Sequence, residues 1–398
     1  MEQHRAVVVG AGIGGLTAAV ALHQRGWNVT VLERAAALAP VGAGIGLAPN
    51  AQRALDVIGL GDRVRELSAW QGDGGMRAPD GRWLARTSAQ AAAERFGGPL
   101  VLLHRATLVD LLAAALPDGV VRTGVTASLA DPGDDHRPAV VRTAAGDHEA
   151  ELVLGADGIH SAVRRALFPH YTGLAYSGFT TWRVVVPAPA RPFAPHETWG
   201  AGRLWGTQPL KDGRTYAYAM AAAPAGAHAP DGEKAELARL FGDWHHPVPD
   251  ILAAADADGV LRHDVHHMPR PLPAFHHGRV ALLGDAAHAM QPTLGQGGNQ
   301  AIEDAIVLAH HAGRGLPPSR ALAAYTADRL PRTTAIVRKA ALTGRLTRFS
   351  ARPAVAARDA LIATVSRFGP GLLLRGFDGI ADWRPPATAP LHPHTGPA

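Results

Sequence analysis

The sequence predicts an α/β fold in which a twisted parallel sheet is interrupted by an inserted β-sheet and followed by C-terminal helices. Three observations lead to this prediction. A strand–glycine turn–helix–strand unit opens the chain, and another buried strand with a glycine turn and a helix lies near residue 280. Between Tyr176 and Met268, short strand-like segments alternate with Pro and Gly turns. At 398 residues the chain has room for two domains.

The composition excludes several classes of chemistry. Cysteine is absent, which rules out disulfides, thiolate nucleophiles, zinc ribbons and iron–sulfur clusters. The net charge is +5, but the arginines are scattered, so no nucleic-acid partner is expected. The histidine doublets lack metal-ligand spacing, and no metal is expected. Neither a secretory signal nor an apolar stretch of about 18 residues is present, which predicts a cytoplasmic protein without a membrane span.

The opening unit has the pattern of a dinucleotide site. Ala6 to Val9 and Trp27 to Leu32 are the predicted strands, and the glycines between them are Gly10, Gly12, Gly14 and Gly15. In a Rossmann-like turn such glycines allow a tight bend, close approach of a pyrophosphate and close helix–strand packing. Glu33 ends the second strand, where a carboxylate accepts from ribose hydroxyls and disfavours a 2′-phosphate. The unit therefore predicts NAD or FAD binding.

A second motif favours FAD over NAD. The buried strand within Gly278–His288 ends at Gly284 and Asp285, and Pro292 and the turn Gly295–Asn299 follow. An aspartate in this position can accept from the ribityl hydroxyls of a flavin. A glycine turn that begins a helix directs N–H groups and the positive end of the helix dipole towards the flavin N1–C2=O edge.

These two motifs, together with a third at Gly155–Arg165, resemble FAD-dependent aromatic monooxygenases of the para-hydroxybenzoate hydroxylase type, especially the salicylate and urate hydroxylase-like branch. The resemblance extends over nearly the whole chain and implies a Rossmann-like FAD-binding domain of the GR2 type. It also implies that Arg105 holds the flavin and that Asp157 lies near the pyrophosphate. The cofactor-binding residues expected are Gly10, Gly12, Gly14, Gly15, Glu33, Arg34, Arg105, Asp157, Gly284, Asp285, Gly295, Gly297, Gly298 and Asn299.

The resemblance implies a reaction as well. FAD, bound non-covalently, would be reduced by transiently bound NADH or NADPH, react with O2 to a C4a-hydroperoxyflavin, and hydroxylate a small aromatic or heteroaromatic molecule. Epoxidation of an alkene and a flavin-binding protein without turnover remain alternatives. Halogenases on this fold carry a Trp-x-Trp-x-Ile-Pro motif that the segment Thr181–Pro187 lacks.

The nucleotide motifs lie on both sides of the strand-rich segment, which predicts a discontinuous fold. The FAD-binding domain is expected to comprise 1–70, 98–173 and 270–345, and the substrate domain 71–97 and 174–269. Residues 346–398 are expected to form C-terminal helices and a frayed tail, in a monomer or homodimer. The predicted catalytic residues are Arg203, Tyr216 and Pro292, with Arg183 as a second candidate and Trp182, Trp199 or Trp205 as aromatic walls.

Overall fold

A computed structural model describes residues 4–38, 43–68, 73–313 and 316–387. Its strands, in chain order, are β1 (Arg5–Val9), β2 (Asn28–Leu32), β3 (Gly44–Leu47), β4 (Gly74–Arg77), β5 (Trp83–Thr87), β6 (Val101–His104), β7 (Val121–Arg122), β8 (Ser128–Asp131), β9 (Ala139–Thr143), β10 (Gly146–Ala150), β11 (Leu152–Gly155), β12 (Ala175–Pro187), β13 (His196–Trp199), β14 (Arg203–Pro209), β15 (Arg214–Ala222), β16 (Leu261–His267), β17 (His276–His277) and β18 (Val280–Leu282).

The helices follow the same order. They are α1 (Ile13–His23), α2 (Pro49–Asp56), α3 (Gly61–Glu66), α4 (Ala89–Phe96), α5 (Arg105–Ala113), α6 (Ala162–Leu167), α7 (Glu233–Phe241), α8 (Val248–Ala254), α9 (Asp285–His288), α10 (Gly297–Ala312), α11 (Pro318–Thr347), α12 (Arg352–Arg367) and α13 (Pro370–Leu374). Two 3-10 turns occupy Pro292–Leu294 and Arg375–Phe377. No helix in these described ranges combines the length and apolarity needed to span a membrane.

The first sheet has the strand order β17-β18-β11-β1-β2-β7. It is parallel except for the edge strand β17, which pairs antiparallel with β18. Strands β1, β11 and β18 are almost wholly buried, as expected for a parallel sheet with both faces covered. Helix α1 packs along α10, and α10 packs in turn against α11, so the helices that follow the two glycine turns lie side by side.

The second large sheet has the order β16-β12-β15-β14-β13-β4-β5. Its strands come from two separate stretches, 74–87 and 175–267, because β4 pairs parallel with β13. One face is apolar and is covered by α7 and α8, where Trp182, Trp205 and Phe241 share a core. The opposite face carries Tyr216 and Tyr218. Side chains alternate between the two faces along a strand, so the odd- and even-numbered residues of one regular strand lie on opposite faces.

The predicted mixed α/β architecture is confirmed, while the proposed domain limits stay predictions. The limit between 70 and 71 and the tail beyond 387 lie outside the described residues. Helix α11 runs across 345, where the first domain was expected to end. Residues 348–351 separate α11 from α12. Pro353, at the second position of α12, is a residue type favoured at the beginning of helices.

Candidate active site

The three sequence motifs meet at the carboxyl ends of β1 and β11. Gly10 has φ +105°, and a Cβ there would lie 2.5 Å from the carbonyl oxygen of Ala156 in the third motif. A Cβ at Gly15 would overlap the carbonyl oxygen of Gly10. The second motif joins them because the N–H of Leu283 donates to the carbonyl of Gly155. The close contacts leave room for glycine alone at positions 10 and 15.

Two helices begin beside each other at this edge without any side-chain cap. Neither Gly12, before α1, nor Gln296, before α10, provides a side-chain cap, and neither helix has an acid in its first turn. A Cβ at Gly14 would lie 3.0 Å from the Cβ of Ala301, so the two first turns are adjacent. Uncapped helix starts leave N–H groups and positive dipole ends free for an anion. A Cβ at Gly12 would meet nothing within 4 Å, so the space in front of that residue is open.

Glu33 and Arg34 follow β2 at the same edge. The two carboxylate oxygens of Glu33 accept from the N–H groups of Ala11, at 2.8 Å, and Ala35, at 2.9 Å. A carboxylate has about four acceptor sites, so capacity for ribose hydroxyls remains. Arg34 is exposed. Glu33 is therefore held directly over the glycine turn in an orientation that suits the predicted contact.

The carboxylate of Asp285 is available to accept hydrogen bonds from a ligand at this site. It is exposed, and no residue in the described part of the chain donates a hydrogen bond to its carboxylate. Arg105, the first residue of α5, lies within its electrostatic range. Burial lowers the pKa of the Arg105 guanidinium, Asp285 opposes this, and Arg183 adds to it. Two arginines and one aspartate thus converge near the start of α10.

Other predicted cofactor residues shape the site while their polar groups bond within the protein. The carboxylate of Asp157 accepts from the Ser161 hydroxyl and from the N–H groups of Ala162 and Val163 at the start of α6. The fully buried Asn299 accepts from the N–H of Ala48 at 2.8 Å. The remaining members are glycines with positive φ, Gly284 (+59°) and Gly295 (+61°), and the first two residues of α10, Gly297 and Gly298.

Sequence reasoning missed an ionic cluster behind α10. Arg329 is 1% exposed and donates to Glu303 at 2.5 Å and to Asp304 at 2.7 Å, both fully buried. Asp304 also accepts from the N–H of Gly284, at 2.9 Å, and pairs with His288. Burial would raise the pKa of Asp304, but His288 and Arg329 lower it to about 2. Two adjacent acids within the otherwise apolar stretch 301–309 were the available signal, because buried carboxylates need a partner.

The structure does not bring the two predicted substrate residues together. Arg203 and Tyr216 lie on opposite faces of the second sheet. Arg203 pairs with Ala221 and therefore shares its face, and Ala221 is five positions from Tyr216 on β15, so the alternation of side chains puts the two on opposite faces. The Arg203 guanidinium donates to the carbonyl of Leu240 and lies over the Trp244 ring on the helix-covered face. Pro292 is exposed at the start of a 3-10 turn.

Arg183, the second candidate, is on the same face as Tyr216. Burial raises the pKa of the Tyr216 phenol, and the neighbouring Arg183 guanidinium partly opposes that rise. Arg183 is half-buried, and no carboxylate of the described residues lies within ion-pair distance of it. The strand β3 separates this pair from α10: a Cβ at Gly44 would overlap the Tyr216 ring, and a Cβ at Gly298 would lie 2.7 Å from Ile45. Strand β3 therefore lies between Tyr216 and the start of α10.

Two of the three predicted tryptophan walls, Trp182 and Trp205, belong to the core under α7 and α8. Trp199 lies on the face of Tyr216 and Tyr218, where it is buried with the Arg358 guanidinium over its ring. Tyr218 is the additional aromatic residue beside Tyr216, with ring centroids 5.7 Å apart, and its hydroxyl donates to Glu197 at 2.5 Å. This face of the sheet therefore carries two tyrosines together with Trp199 and Phe179.

The adjoining glycine turns, the open aspartate and the uncapped helix starts define a flavin-type dinucleotide site. The FAD binding domain family matches residues 3–340, and the chain belongs to this family. The arrangement fits FAD, since open space lies before Gly12 and Asp285 has a free acceptor. The prediction of FAD as cofactor is confirmed.

Similar proteins narrow the class further. The chain is 36% identical to a 3-amino-4-hydroxybenzoate 2-monooxygenase of Streptomyces cremeus, over 84% of this chain and 86% of that protein. It is 32% identical to an FAD-dependent urate hydroxylase of Klebsiella pneumoniae, over 84% and 88%. The crystal structure of Klebsiella pneumoniae HpxO complexed with FAD and uric acid superposes with a TM-score of 0.85 at 29% identity, over 95% and 96% of the two chains. The chain is an FAD-dependent monooxygenase of the aromatic hydroxylase type, as the sequence motifs predicted.

Replacing Asp285 by alanine is expected to weaken FAD binding about tenfold. That is the lower end of the 1.5–3 kcal/mol range for a hydrogen bond to a charged group, because Asp285 is exposed to water. Fluorescence titration of flavin-free protein measures the change. Asp285→Asn keeps an acceptor oxygen and is the matched control, so equal affinity of the alanine variant and the parent would contradict the assigned role.

Proposed function

We propose that this enzyme hydroxylates a small aromatic or heteroaromatic molecule that carries a phenolic hydroxyl or an anionic oxygen. Bound FAD, reduced by NADH or NADPH, supplies an activated oxygen atom from O2. The observation that carries the substrate class is the half-buried Arg183 beside Tyr216, with no carboxylate partner among the described residues. A half-buried guanidinium without an anionic partner gains free energy when it binds one, which supports an anionic substrate oxygen.

The two side chains would have different tasks. The Arg183 guanidinium binds the substrate oxygen and stabilises its negative charge, which makes the attached ring more reactive towards an electrophilic oxygen. Tyr216 stays protonated because burial raises the pKa of its phenol, and it can donate a hydrogen bond that orients the same oxygen. An alkene offers no such oxygen, so we favour hydroxylation over epoxidation.

We further infer that the fold is discontinuous, with a GR2-type FAD-binding part and an inserted substrate part. Strand pairing supports the inference. The first sheet takes its strands from 5–32, 121–122, 152–155 and 276–282, and the second takes its strands from 74–87 and 175–267, which lie between them in the chain. The substrate site would then lie where β3 separates the two parts.

Arg183→Ala is expected to weaken binding of the best substrate about 10- to 30-fold, because a charge-assisted hydrogen bond is lost. The substrate is first selected from a panel of phenols and aromatic carboxylates by stimulated oxidation of NADH or NADPH, with mass analysis of the product. Its affinity is then measured by perturbation of the flavin spectrum.

Arg203→Ala is the matched control and should leave substrate affinity unchanged, since its guanidinium lies on the other face of the sheet. A larger loss from Arg203→Ala than from Arg183→Ala would overturn the assignment of the pair. A panel that yields only unstimulated oxidation, without an oxygenated product, would contradict the proposed substrate class.

A further inference from the structure

The second half of α11 carries an apolar and basic surface exposed to solvent. Leu342 is 58% exposed, Leu346 41% and Phe349, just beyond the helix, 38%. Arg338 and Arg345 are exposed as well. Residues three or four positions apart lie on the same side of a helix, so these five side chains form one strip, here called the α11 strip. Large apolar side chains next to one another on a surface mark an interaction site more often than single ones do.

The opposite side of the helix is fixed to the body of the protein. Ile336 and Val337 are buried in an apolar cluster with Met290. The Thr293 hydroxyl donates to the carbonyl of Ala340 at 2.6 Å, and a Cβ at Gly344 would overlap the Gln291 side chain. Helix α11 therefore cannot rotate to bury the strip. The strip faces outward, and the opposite side of the same helix contacts the 3-10 turn at Pro292.

The surrounding charge is strongly positive. Residues 335–368 contain seven Arg and Lys residues and one acid, a net charge of +6 in a chain whose total is +5. The local excess of positive charge reflects the near absence of acids from this segment. The single acid, Asp359, is paired with the buried Arg358 at 2.8 Å. The exposed charges of this segment are thus basic.

We propose that the α11 strip binds the surface of a membrane containing anionic lipids, with the helix lying along the interface. Leucine and phenylalanine side chains would enter the headgroup boundary, and the flanking arginines would attract the anionic headgroups. Exposed leucines with arginines on one helix face are the composition of interfacial helices. Leu361 and Phe368 of the following segment are also exposed, 65% and 78%.

A second copy of the chain is a less suitable occupant. A twofold-symmetric contact through this strip would place two segments of charge +6 against each other. Such like-charge apposition opposes association. Nucleic acid would satisfy the arginines but would leave the leucines and Phe349 without apolar contacts. An anionic lipid surface satisfies both the charge and the apolar side chains.

The test is flotation of the FAD-loaded full-length enzyme with vesicles of phosphatidylcholine alone and of phosphatidylcholine mixed with an equal amount of phosphatidylglycerol. We expect binding to the mixed vesicles at low ionic strength and loss of binding as salt is added. The double variant Leu342→Glu with Leu346→Glu should lose vesicle binding. Arg338→Gln and Arg345→Gln should each weaken it about fivefold.

Matched controls lie at the other end of the same helix region. Leu316 is 39% exposed and Arg320 is exposed, so Leu316→Glu and Arg320→Gln change the same residue types away from the strip. Both controls should bind mixed vesicles like the parent protein. All variants should retain FAD and vesicle-free activity, because the substituted side chains are exposed.

Four results would overturn the proposal. The first is no flotation with phosphatidylglycerol vesicles at low salt, and the second is equal loss in the control and strip variants. The third is a dimer, seen without vesicles by size-exclusion chromatography with light scattering, that the Leu342→Glu and Leu346→Glu double variant abolishes, which would assign the strip to self-association. Competition of vesicle binding by double-stranded DNA, with equal DNA affinity in the leucine variant, would assign it to nucleic acid.

Discussion

Arg329→Met is expected to lower the free energy of unfolding by about 3–5 kcal/mol. The substitution removes the guanidinium from Glu303 and Asp304, which are fully buried, and leaves their charges uncompensated. Chemical denaturation of the flavin-free protein followed by far-UV circular dichroism measures the loss. Arg332→Met is the control: Arg332 also pairs with Glu303, but it is 16% exposed and Arg329 remains, so the loss should be smaller.

The same cluster predicts how stability depends on pH. In the native protein the pKa of Asp304 is lowered from 3.8 to about 2. The ionised Asp304 therefore contributes to the free energy of unfolding above pH 3.8, and this contribution is lost as the pH falls towards 2. In the Arg329→Met variant, protonation removes charges whose burial is unfavourable. The difference in the free energy of unfolding between the parent protein and the Arg329→Met variant should narrow as the pH falls below about 4. A difference that stays constant with pH would contradict the role of charge.

Gly12→Ala is expected to lower FAD affinity by at least about a hundredfold, or ~2.8 kcal/mol, while the flavin-free protein keeps its stability. Gly12 has φ −72°, which alanine adopts without strain, and its Cβ would enter space that the protein leaves open. A pyrophosphate bound at the start of α1 must approach the backbone there, so a methyl group would hold it away.

Gly15→Ala is the contrasting variant. Its Cβ would overlap the carbonyl oxygen of Gly10, so both thermal stability and FAD affinity should fall. Thermal unfolding of the flavin-free proteins and FAD titration separate the two effects. If Gly12→Ala destabilised the flavin-free protein as much as Gly15→Ala, the open space before Gly12 would have a structural role and the assignment to the pyrophosphate would be wrong.

The nucleotide half of the site was predictable because its signals are local. Strand, glycine turn and helix follow one another within about 30 residues, so spacing alone identifies them. The face of the second sheet on which Arg183 and Arg203 each lie was not predictable in the same way. Both occur on strands of one sheet, and which face meets the FAD-binding part depends on pairing between strands far apart in the chain. A shift of one residue reverses the face, and periodicity cannot supply that information.

The ionic cluster could not be predicted from the sequence for a related reason. Glu303 and Asp304 are adjacent on α10, but Arg329 lies 25 residues after Asp304 on another helix. Many arginines in this chain are exposed, and nothing local separates Arg329 from them. Its burial results from the packing of α11 on α10, which is a tertiary event.

The contact between Gly44 and Tyr216 makes strand β3 and the second large sheet mechanically dependent on each other. The Tyr216 ring is seated directly on main chain, which cannot change rotamer to make way as a side chain could. A larger residue at position 44 would displace the tyrosine, and a smaller residue at position 216 would leave β3 unsupported. Changes of substrate scope at this place should therefore arise as compensating pairs of substitutions, with the second one needed before the first is tolerated.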